Sequence, residues 1–331
     1  MSRAEVLSEA WRGSFLETQH FGHAVVCDDT GAIVHAWGDP NAVILPRSSS
    51  KMIQALPLMT SGAAKKFGLT SEHLALACAS HQGAEIHTSR VSAWLDNLDL
   101  GADDLRCGSQ VPNDTEARHD LVRRDQEPCQ IHNNCSGKHC GFLTLNVYLG
   151  GDAEYIRADH PVQIAALNAL EEVAQETSPG FGIDGCSAPN YAISMHGMAR
   201  AMAWYASAHA RSDSMSQGGA KLVQAMMTHP DFVAGEGRAC TELMRAGQGK
   251  LALKTGADGY FTAILPEKKM GVALKIMDGN TRAAESAISA ILVSLGVLDA
   301  GDPVVQNRLS PVIKSRLGKE AGQITPKISL V

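Results

Sequence analysis

The chain has 331 residues, of which 44% are hydrophobic and 19% charged, with a formal net charge of −6. This composition predicts a globular protein with a sizeable core, large enough for one large domain or two ordinary ones. The net negative charge and the lack of a basic tract argue against nucleic acid or an anionic membrane as a partner.

The ends of the chain and its eight cysteines indicate where the protein works. The first 13 residues contain no apolar segment typical of a signal peptide. The longest apolar run, near 287–298, is too short to span a bilayer. Cysteines without a secretion signal indicate a reducing compartment, where they bind metals or catalyse more often than they form disulfides. We therefore expect a cytoplasmic protein.

Residues 1–100 predict one hairpin followed by helices. Residues 23–27 and 32–37 are short β-type runs, and Asp-Asp-Thr-Gly at 28–31 is typical of a hairpin turn. Residues 52–59 are almost uniformly apolar, which predicts a buried helix, with Ser48 as its N-cap. Two further helices are predicted at 72–79 and 87–98.

The middle of the chain predicts mainly helices, and the end predicts a second hairpin. Residues 106–128 are polar and predict a loop with one helix, whereas 212–219 predict a Ser/Gly-rich connection. A loop at 181–186 separates two of the long helices. The helices are predicted at 161–176, 191–210, 221–227, 240–245 and 281–295, and the strands at 260–265 and 271–277.

These elements predict an α/β fold of the α+β type. The hairpins near both ends are expected to share one antiparallel sheet, with the terminal helices packed on it. We predict a single two-lobed domain over residues 1–331. Its sheet lobe comprises 1–60 and 251–331, and its mainly helical lobe 61–250.

The only Ser-x-x-Lys of the chain, Ser48 to Lys51, begins the apolar helix. Residues three apart share a helix face, so Lys51 is expected over Ser48. A serine hydroxyl needs a base to remove its proton, and a lysine amine serves when burial or a second cation favours its neutral form. The alternative is a helix-capping serine beside a surface lysine.

A second serine and a second lysine fit the same chemistry. Lys254-Thr255-Gly256 precedes the predicted strand at 260–265. Serine β-lactamases and penicillin-binding proteins combine Ser-x-x-Lys on a buried helix with Lys-Thr-Gly on a strand. Their middle element, Ser-x-Asn or Tyr-x-Asn, is absent here. Ser80, in Ser-His-Gln-Gly at the end of a buried helix, is its best substitute, although it comes far earlier in the chain.

Residues 132–140, His-Asn-Asn-Cys-Ser-Gly-Lys-His-Cys, are dense in potential metal ligands. Zinc takes cysteine and histidine ligands and is usually four-coordinate. From chemistry alone, Cys135, His139 and Cys140 are candidate ligands, with Cys186 from a separate turn. Buried reduced cysteines are the alternative, and no Cys-x-x-Cys is present to indicate a standard zinc finger.

Together these stretches resemble the rhizobial-type, or class 3, L-asparaginases. The resemblance runs over nearly the whole chain, and Asn-Cys-Ser-Gly-Lys-His at 134–139 is its most specific element. It implies a fold related to serine β-lactamases and glutaminases, and a homodimer. The other matching stretches are 47–51, 79–83, 184–186 and 254–256.

Carried over by position, the resemblance implies two Ser–Lys pairs, Ser48 with Lys51 and Ser80 with Lys254; nearby Lys250 is an alternative to Lys254. It also implies a zinc ion held by Cys135, Lys138, Cys186 and a water, which moves His139 from the metal ligands to the substrate site or to the surroundings of the metal. The substrate-binding candidates are Arg47, whose guanidinium suits a carboxylate, Asn134, His139 and Asp184.

The expected function is hydrolysis of L-asparagine to L-aspartate and ammonia. Ser48 would attack the side-chain amide, and Lys51 would accept its proton. The alternatives are another serine amidohydrolase, either a glutaminase or a β-lactam-binding hydrolase, and a non-catalytic zinc or redox-sensing protein that uses Cys135, Cys140 and Cys186.

Overall fold

The computed structural model describes residues 3–328, so the outermost residues of the predicted 1–331 domain lie outside it. The chain divides into two compact units. The sheet unit comprises Met1–Ser49, Ile193–Ser207 and Ala239–Val331, and the helical unit comprises Ser50–Ala192 and Ala208–Arg238.

Strands from both ends of the chain form one antiparallel sheet in the sheet unit, which confirms the predicted fold class. Among the described residues it has eight strands in the order β11-β12-β1-β2-β10-β9-β8, with β3 also paired to β2. Two short two-stranded ribbons, β4-β7 and β5-β6, complete the strands. The strands are β1 (Glu5–Arg12), β2 (Phe15–Cys27), β3 (Ile33–Trp37), β4 (Val43–Ile44), β5 (Phe181–Ile183), β6 (Pro189–Tyr191), β7 (Ile193–Ser194), β8 (Ala252–Gly256), β9 (Tyr260–Leu265), β10 (Met270–Ile276), β11 (Val312–Lys314) and β12 (Glu320–Pro326).

Most of the helices belong to the helical unit. They are α1 (Lys51–Thr60), α2 (Ala63–Lys66), α3 (Ser71–Ala77), α4 (Glu85–Asp96), α5 (Thr115–Arg123), α6 (Ser136–Leu149), α7 (Pro161–Ala174), α8 (Met195–Ser207), α9 (Ser214–Thr228), α10 (Pro230–Val233), α11 (Ala239–Ala246), α12 (Thr281–Ser294) and α13 (Pro303–Leu309). In the described part of the chain, none is long and apolar enough to cross a membrane.

The centre of the sheet is buried on both faces. Every residue of β9 is buried, and so are the last six of β2. Helices α8 and α12 pack on β10, which explains why these strands are apolar at consecutive positions and not only at alternate ones. The hairpins predicted at 23–37 and 260–277 are confirmed as β2-β3 and β9-β10.

Helix α1 forms the core of the helical unit, where it packs against α6, α7 and α9. All but three of its residues are buried, as its uniform apolar sequence predicts. The N-cap prediction was wrong. A 3-10 turn over Arg47–Ser50 runs directly into α1, so Ser48 lies inside the helical segment, and Ser50 occupies the N-cap without a side-chain cap bond.

Two other predicted elements were wrong. The connection at 212–219 belongs to α9, because the Asp213 side chain caps that helix by accepting the Ser216 N–H. The helix at 191–210 begins only at Met195, after strands β6 and β7. Strands β1, β11 and β12 were not predicted.

Candidate active site

In the sheet unit, the turn that carries Ser48 is anchored through its neighbour Ser49. The Ser49 hydroxyl is fully buried and donates to the Pro46 carbonyl at 2.6 Å. The Ser49 carbonyl in turn accepts a hydrogen bond from Thr262 Oγ1 on β9, at 3.0 Å. Ser48 itself has intermediate exposure. Strand β9 therefore fixes the backbone at Ser49, Ser49 holds Pro46, and Ser48 between them stays partly accessible.

Lys254 lies in the middle of β8 and is 1% exposed, whereas Lys250 precedes the strand and is exposed. The Lys254 ammonium donates to the Thr255 carbonyl at 2.8 Å. Gly256 ends the strand where a Cβ atom would lie 2.7 Å from the Pro46 carbonyl oxygen. Only glycine lets β8 come this close to the Ser48 turn, which explains why the Lys-Thr-Gly motif ends in glycine.

Arg47 begins the same turn with a left-handed backbone (φ 53°), a conformation rare outside glycine. Its guanidinium forms an ion pair with Asp258, which is also left-handed (φ 59°). Asp258 is 67% exposed, so solvent screens this pair. The predicted carboxylate-binding residue is thus already positioned by a carboxylate of its own unit.

In the helical unit, Lys51 is 1% exposed. Its amine contacts the loop after α3 and the residue that precedes α6. Lys51 Nζ donates to the Ala79 carbonyl and lies 3.0 Å from Cys135 Sγ. Ala79 directly precedes Ser80, which is 6% exposed and whose N–H donates to the Val233 carbonyl at 2.9 Å. Lys51, the predicted base, therefore contacts Ala79, the residue directly before Ser80.

The Ser80 loop is held against the Cys135 loop by His81. Its backbone N–H donates to the Asn134 carbonyl, and its Nε2 lies 3.0 Å from Ser136 Oγ. At Gly137, a Cβ atom would lie 2.6 Å from the carbonyl oxygen of Leu76, so only glycine allows α6 to pack this closely on the end of α3.

Cys135, Lys138 and Cys186 are in contact, although Cys186 is far from the other two in sequence. Cys135 precedes α6 and Lys138 lies in its first turn, whereas Cys186 occupies the loop between β5 and β6. That loop is closed by the Asp184 N–H, which donates to the Ala188 carbonyl at 3.0 Å. Lys138 Nζ lies 3.0 Å from Cys186 Sγ. A hydrogen bond between the sulfurs of Cys135 and Cys186 completes the group.

The charges of this cluster compensate one another. The hydrogen bond with Cys186, together with burial, raises the pKa of the Cys135 thiol well above its ordinary value. The same hydrogen bond and the Lys138 cation hold the pKa of Cys186 well below its ordinary value, against the effect of burial. Burial disfavours the Lys138 cation, but the Cys186 and Cys135 sulfurs outweigh it and raise the pKa of Lys138. These effects favour a thiol at Cys135, a thiolate at Cys186 and an ammonium at Lys138.

His139 is completely buried beside this cluster. Its Nδ1 lies 2.8 Å from the Tyr155 hydroxyl. Burial and the Lys138 charge lower the pKa of His139 to about 4, so the imidazole is neutral at pH 7. Asn134 is also placed at the cluster, with its Oδ1 3.0 Å from Cys135 Sγ.

The zinc ligands chosen from chemistry alone were wrong in including Cys140. Its sulfur faces the Val91 carbonyl at 4.0 Å and belongs to the packing of α6. In residues 3–328 no group of three His, Cys, Asp or Glu side chains could hold a metal ion. The set that includes Lys138 does fit zinc, because Cys186 contacts both Lys138 and Cys135, and zinc takes sulfur and nitrogen ligands once the thiols and the amine are deprotonated.

Sequence reasoning missed three residues that position these side chains: Tyr155, Ser136 and Thr262. Tyr155 and Thr262 contact residues distant in the chain, and Ser136 contributes an ordinary hydroxyl, so no motif or spacing gave any of them a role. All eight cysteines, each within the described residues, are free thiols.

Comparison with known families assigns the chain. The profile of the L-asparaginase II family matches residues 8–326. The protein therefore belongs to the L-asparaginase II family, a family of amidohydrolases. No curated protein matches the chain.

Among solved structures, the chain is similar to Mglu in its native form, in the presence of 4.3 M NaCl, and to a β-lactamase from Mycobacterium bovis. The match to Mglu has 13% identity and a TM-score of 0.47, and covers 85% of this chain. This chain spans 62% of the length of Mglu. The match to the β-lactamase has 13% identity and a TM-score of 0.46, and covers 84% of this chain and 95% of the other.

Proposed function

We propose that the protein is an L-asparaginase that hydrolyses L-asparagine to L-aspartate and ammonia with a serine nucleophile. The observation that carries this proposal is Lys51, a fully buried lysine three residues after Ser48, in a chain that belongs to the L-asparaginase II family. A buried lysine is a suitable base for a serine hydroxyl.

In the proposed reaction, Ser48 Oγ attacks the side-chain amide carbon of asparagine while Lys51 accepts the hydroxyl proton. The tetrahedral intermediate collapses, the C–N bond breaks, and ammonia leaves with a proton returned by Lys51. Water then attacks the aspartyl ester and releases L-aspartate and free Ser48. We assign the oxyanion hole to the backbone N–H of Ser48, because the Ser49 and Ser80 N–H groups are engaged with the Pro46 and Val233 carbonyls.

The second pair, Ser80 with Lys254, supports this reaction in our proposal by binding and orienting the substrate. Both residues are buried, at 6% and 1% exposure. Arg47 would exchange its exposed partner Asp258 for the substrate α-carboxylate, and Asp184 would accept the α-ammonium. Asn134 and His139 complete the substrate-binding residues.

We further propose that Cys135, Lys138 and Cys186 hold a zinc ion. When bound, zinc would supply a positive charge that orients the substrate. We expect it to act in binding, because Ser48 and Lys51 already provide a nucleophile and a base. Cys135→Ala should therefore raise KM more than it lowers kcat. Elemental analysis of freshly purified protein tests for the metal, and kinetics of the metal-stripped and zinc-restored protein test its role.

Ammonia release tests the substrate. L-asparagine, L-glutamine and a chromogenic β-lactam are compared at equal concentration, and we expect turnover of L-asparagine to dominate. Preference for L-glutamine or for the β-lactam would move the protein to the corresponding amidohydrolase. No turnover of any of the three, with zinc bound, would favour a non-catalytic zinc protein.

The class 3 subtype, the homodimer and the cytoplasmic location are also proposals. They rest on Asn-Cys-Ser-Gly-Lys-His at 134–139, on the family resemblance it carries, and on eight reduced cysteines. Light scattering of the purified protein gives its mass in solution, and we expect twice the 35.1 kDa of one chain.

A further inference from the structure

Tyr155 is a buried tyrosine that no motif indicates and that contacts the edge of the predicted zinc cluster. It lies between α6 and α7 and is 0% exposed. Its ring packs edge-on against His139, with the centroids 5.6 Å apart, and also lies near Phe142. A buried tyrosine hydroxyl usually has a hydrogen-bond partner, so the partners of the Tyr155 hydroxyl indicate the role of this residue.

The hydroxyl has two partners among the described residues. Its oxygen accepts the backbone N–H of Arg106 at 2.8 Å. The other contact is His139 Nδ1, also at 2.8 Å. The Arg106 N–H cannot accept the hydroxyl proton, and Nδ1 is the other contact, so the hydroxyl donates its proton to Nδ1. The carbonyl of Tyr155 is also fixed, since Gln163 Nε2 donates to it at 2.9 Å.

This arrangement determines which imidazole nitrogen carries the proton. A neutral imidazole has one donor and one acceptor nitrogen, and the bond made by one nitrogen sets the role of the other. If Nδ1 accepts from Tyr155, then Nε2 bears the hydrogen. Nε2 is buried and has no hydrogen-bond partner in the described part of the chain. His139 lowers the pKa of the Cys186 thiol, and Nε2 is the ring nitrogen left for that interaction.

We propose that Tyr155 is a positioning residue that fixes His139 as the Nε2–H tautomer, so that the imidazole presents a hydrogen-bond donor to the Cys186 sulfur. The effect on zinc rests on the proposed function, whereas the tautomer does not. A donor to a coordinating sulfur orients that ligand, and loss of such an outer contact commonly weakens metal binding about 10–100-fold.

The first test uses the metal-free protein and needs no variant. Nitrogen-15 NMR of imidazole-labelled protein distinguishes a protonated from an unprotonated ring nitrogen, and His139→Gln assigns the signals. We expect protonated Nε2 and unprotonated Nδ1 for His139. A protonated Nδ1 in the wild-type protein would overturn the proposal.

The second test compares two tyrosines. Tyr155→Phe removes only the hydroxyl, and we expect His139 to lose its single tautomer. Tyr191→Phe is the matched control, because the Tyr191 hydroxyl is also buried but bonds to the Gln163 carbonyl at 3.2 Å. We expect Tyr191→Phe to leave the His139 signals unchanged. An unchanged spectrum in Tyr155→Phe would overturn the proposal.

The third test measures zinc affinity by competition with a chromophoric chelator. Tyr155→Phe should weaken zinc binding about 10-fold or more, and Tyr191→Phe should not. Equal affinity of wild type and Tyr155→Phe would overturn the role at Cys186. A wild-type protein that binds no zinc would refute the proposed metal site and, with it, the effect on zinc, while the NMR tests would still decide the tautomer.

Discussion

The two units hold their candidate catalytic residues in different ways. In the helical unit, buried side chains satisfy one another: Lys51 contacts Cys135, Lys138 contacts Cys186 and His139 contacts Tyr155. In the sheet unit, the corresponding bonds go mainly to the backbone. Lys254 donates to the Thr255 carbonyl, and Ser49 and Thr262 fix the turn through carbonyl groups.

This difference predicts different responses to mutation. In a network of side chains, removing one partner leaves another buried group unsatisfied, and the loss is large. Where a side chain bonds to the backbone, shortening it leaves one carbonyl without that donor, but it leaves no second side chain and no buried charge without a partner. We therefore expect the helical unit to be sensitive to changes of side-chain chemistry, and the sheet unit to be sensitive to changes of backbone geometry.

The largest expected effect on stability comes from Cys186→Ala in the metal-free protein. It leaves the buried Lys138 ammonium without its main partner, and breaking a buried ionic contact costs about 3–5 kcal/mol. Cys140→Ala is the matched control, since it removes a buried thiol of the same unit whose sulfur only faces a carbonyl at 4.0 Å. Chemical denaturation measures both. Equal losses would show that the charge compensation does not stabilise the cluster.

Gly256→Ala tests the backbone in the sheet unit. The new methyl would lie 2.7 Å from the Pro46 carbonyl oxygen, so the strand and the turn must separate. We expect a loss of about 1–3 kcal/mol, with lower kcat because the Ser48 turn moves. Gly101→Ala is a control for alanine at a glycine, because its backbone is extended (φ −129°) and nothing lies within 4 Å of its Cβ position. A wild-type kcat in Gly256→Ala would contradict this account.

Acid should destabilise the helical unit through His81. Burial, and next the electrostatic effects of His87 and Lys51, hold the pKa of His81 well below its usual 6.5. Below about pH 6.5 the unfolded chain binds a proton that the folded protein does not. The free energy of unfolding therefore decreases as the pH is lowered. We expect His81→Gln to flatten this slope, whereas His119→Gln, at an exposed site, should not change it. Denaturation series between pH 5 and 8 measure the slopes, and equal slopes would be inconsistent with His81 as the source.

Asp258→Asn should have the smallest effect on stability. The carboxylate is exposed, and surface ion pairs typically contribute about 0–1 kcal/mol. Arg47 no longer has to exchange this carboxylate for that of the substrate, so KM for L-asparagine should stay the same or fall. A large rise in KM would mean that Asp258 must hold Arg47 in place for binding.

The sequence predicted those elements whose pattern is local. Uniform apolarity identified α1, and β-type runs around a turn identified the hairpins β2-β3 and β9-β10. The Ser/Gly-rich start of α9 was misassigned, because its helical state depends on the Asp213 cap and on burial in the unit. Strand β12 pairs with β1, some 310 residues away, which no local pattern reveals.

The candidate residues were predicted more fully than their partners. Motifs indicated Ser48, Lys51, Lys254 and the zinc ligands by residue type and spacing. The contacts of Lys51 with Ala79 and of His139 with Tyr155 join distant segments through a backbone carbonyl and an ordinary hydroxyl. Such partners depend on the packing of α3, α6 and the following loop, so only the structure could identify them.

Trapping the covalent intermediate tests the central claim most directly. The protein is mixed with L-asparagine, quenched in acid within the first turnovers, and analysed by peptide mass spectrometry, with Ser48→Ala and Ser80→Ala treated in parallel. We predict one aspartyl ester on the peptide that contains Ser48, its absence in Ser48→Ala, and a loss of turnover by several orders of magnitude in that variant. An ester on Ser80, or full turnover by a folded Ser48→Ala protein, would contradict the account.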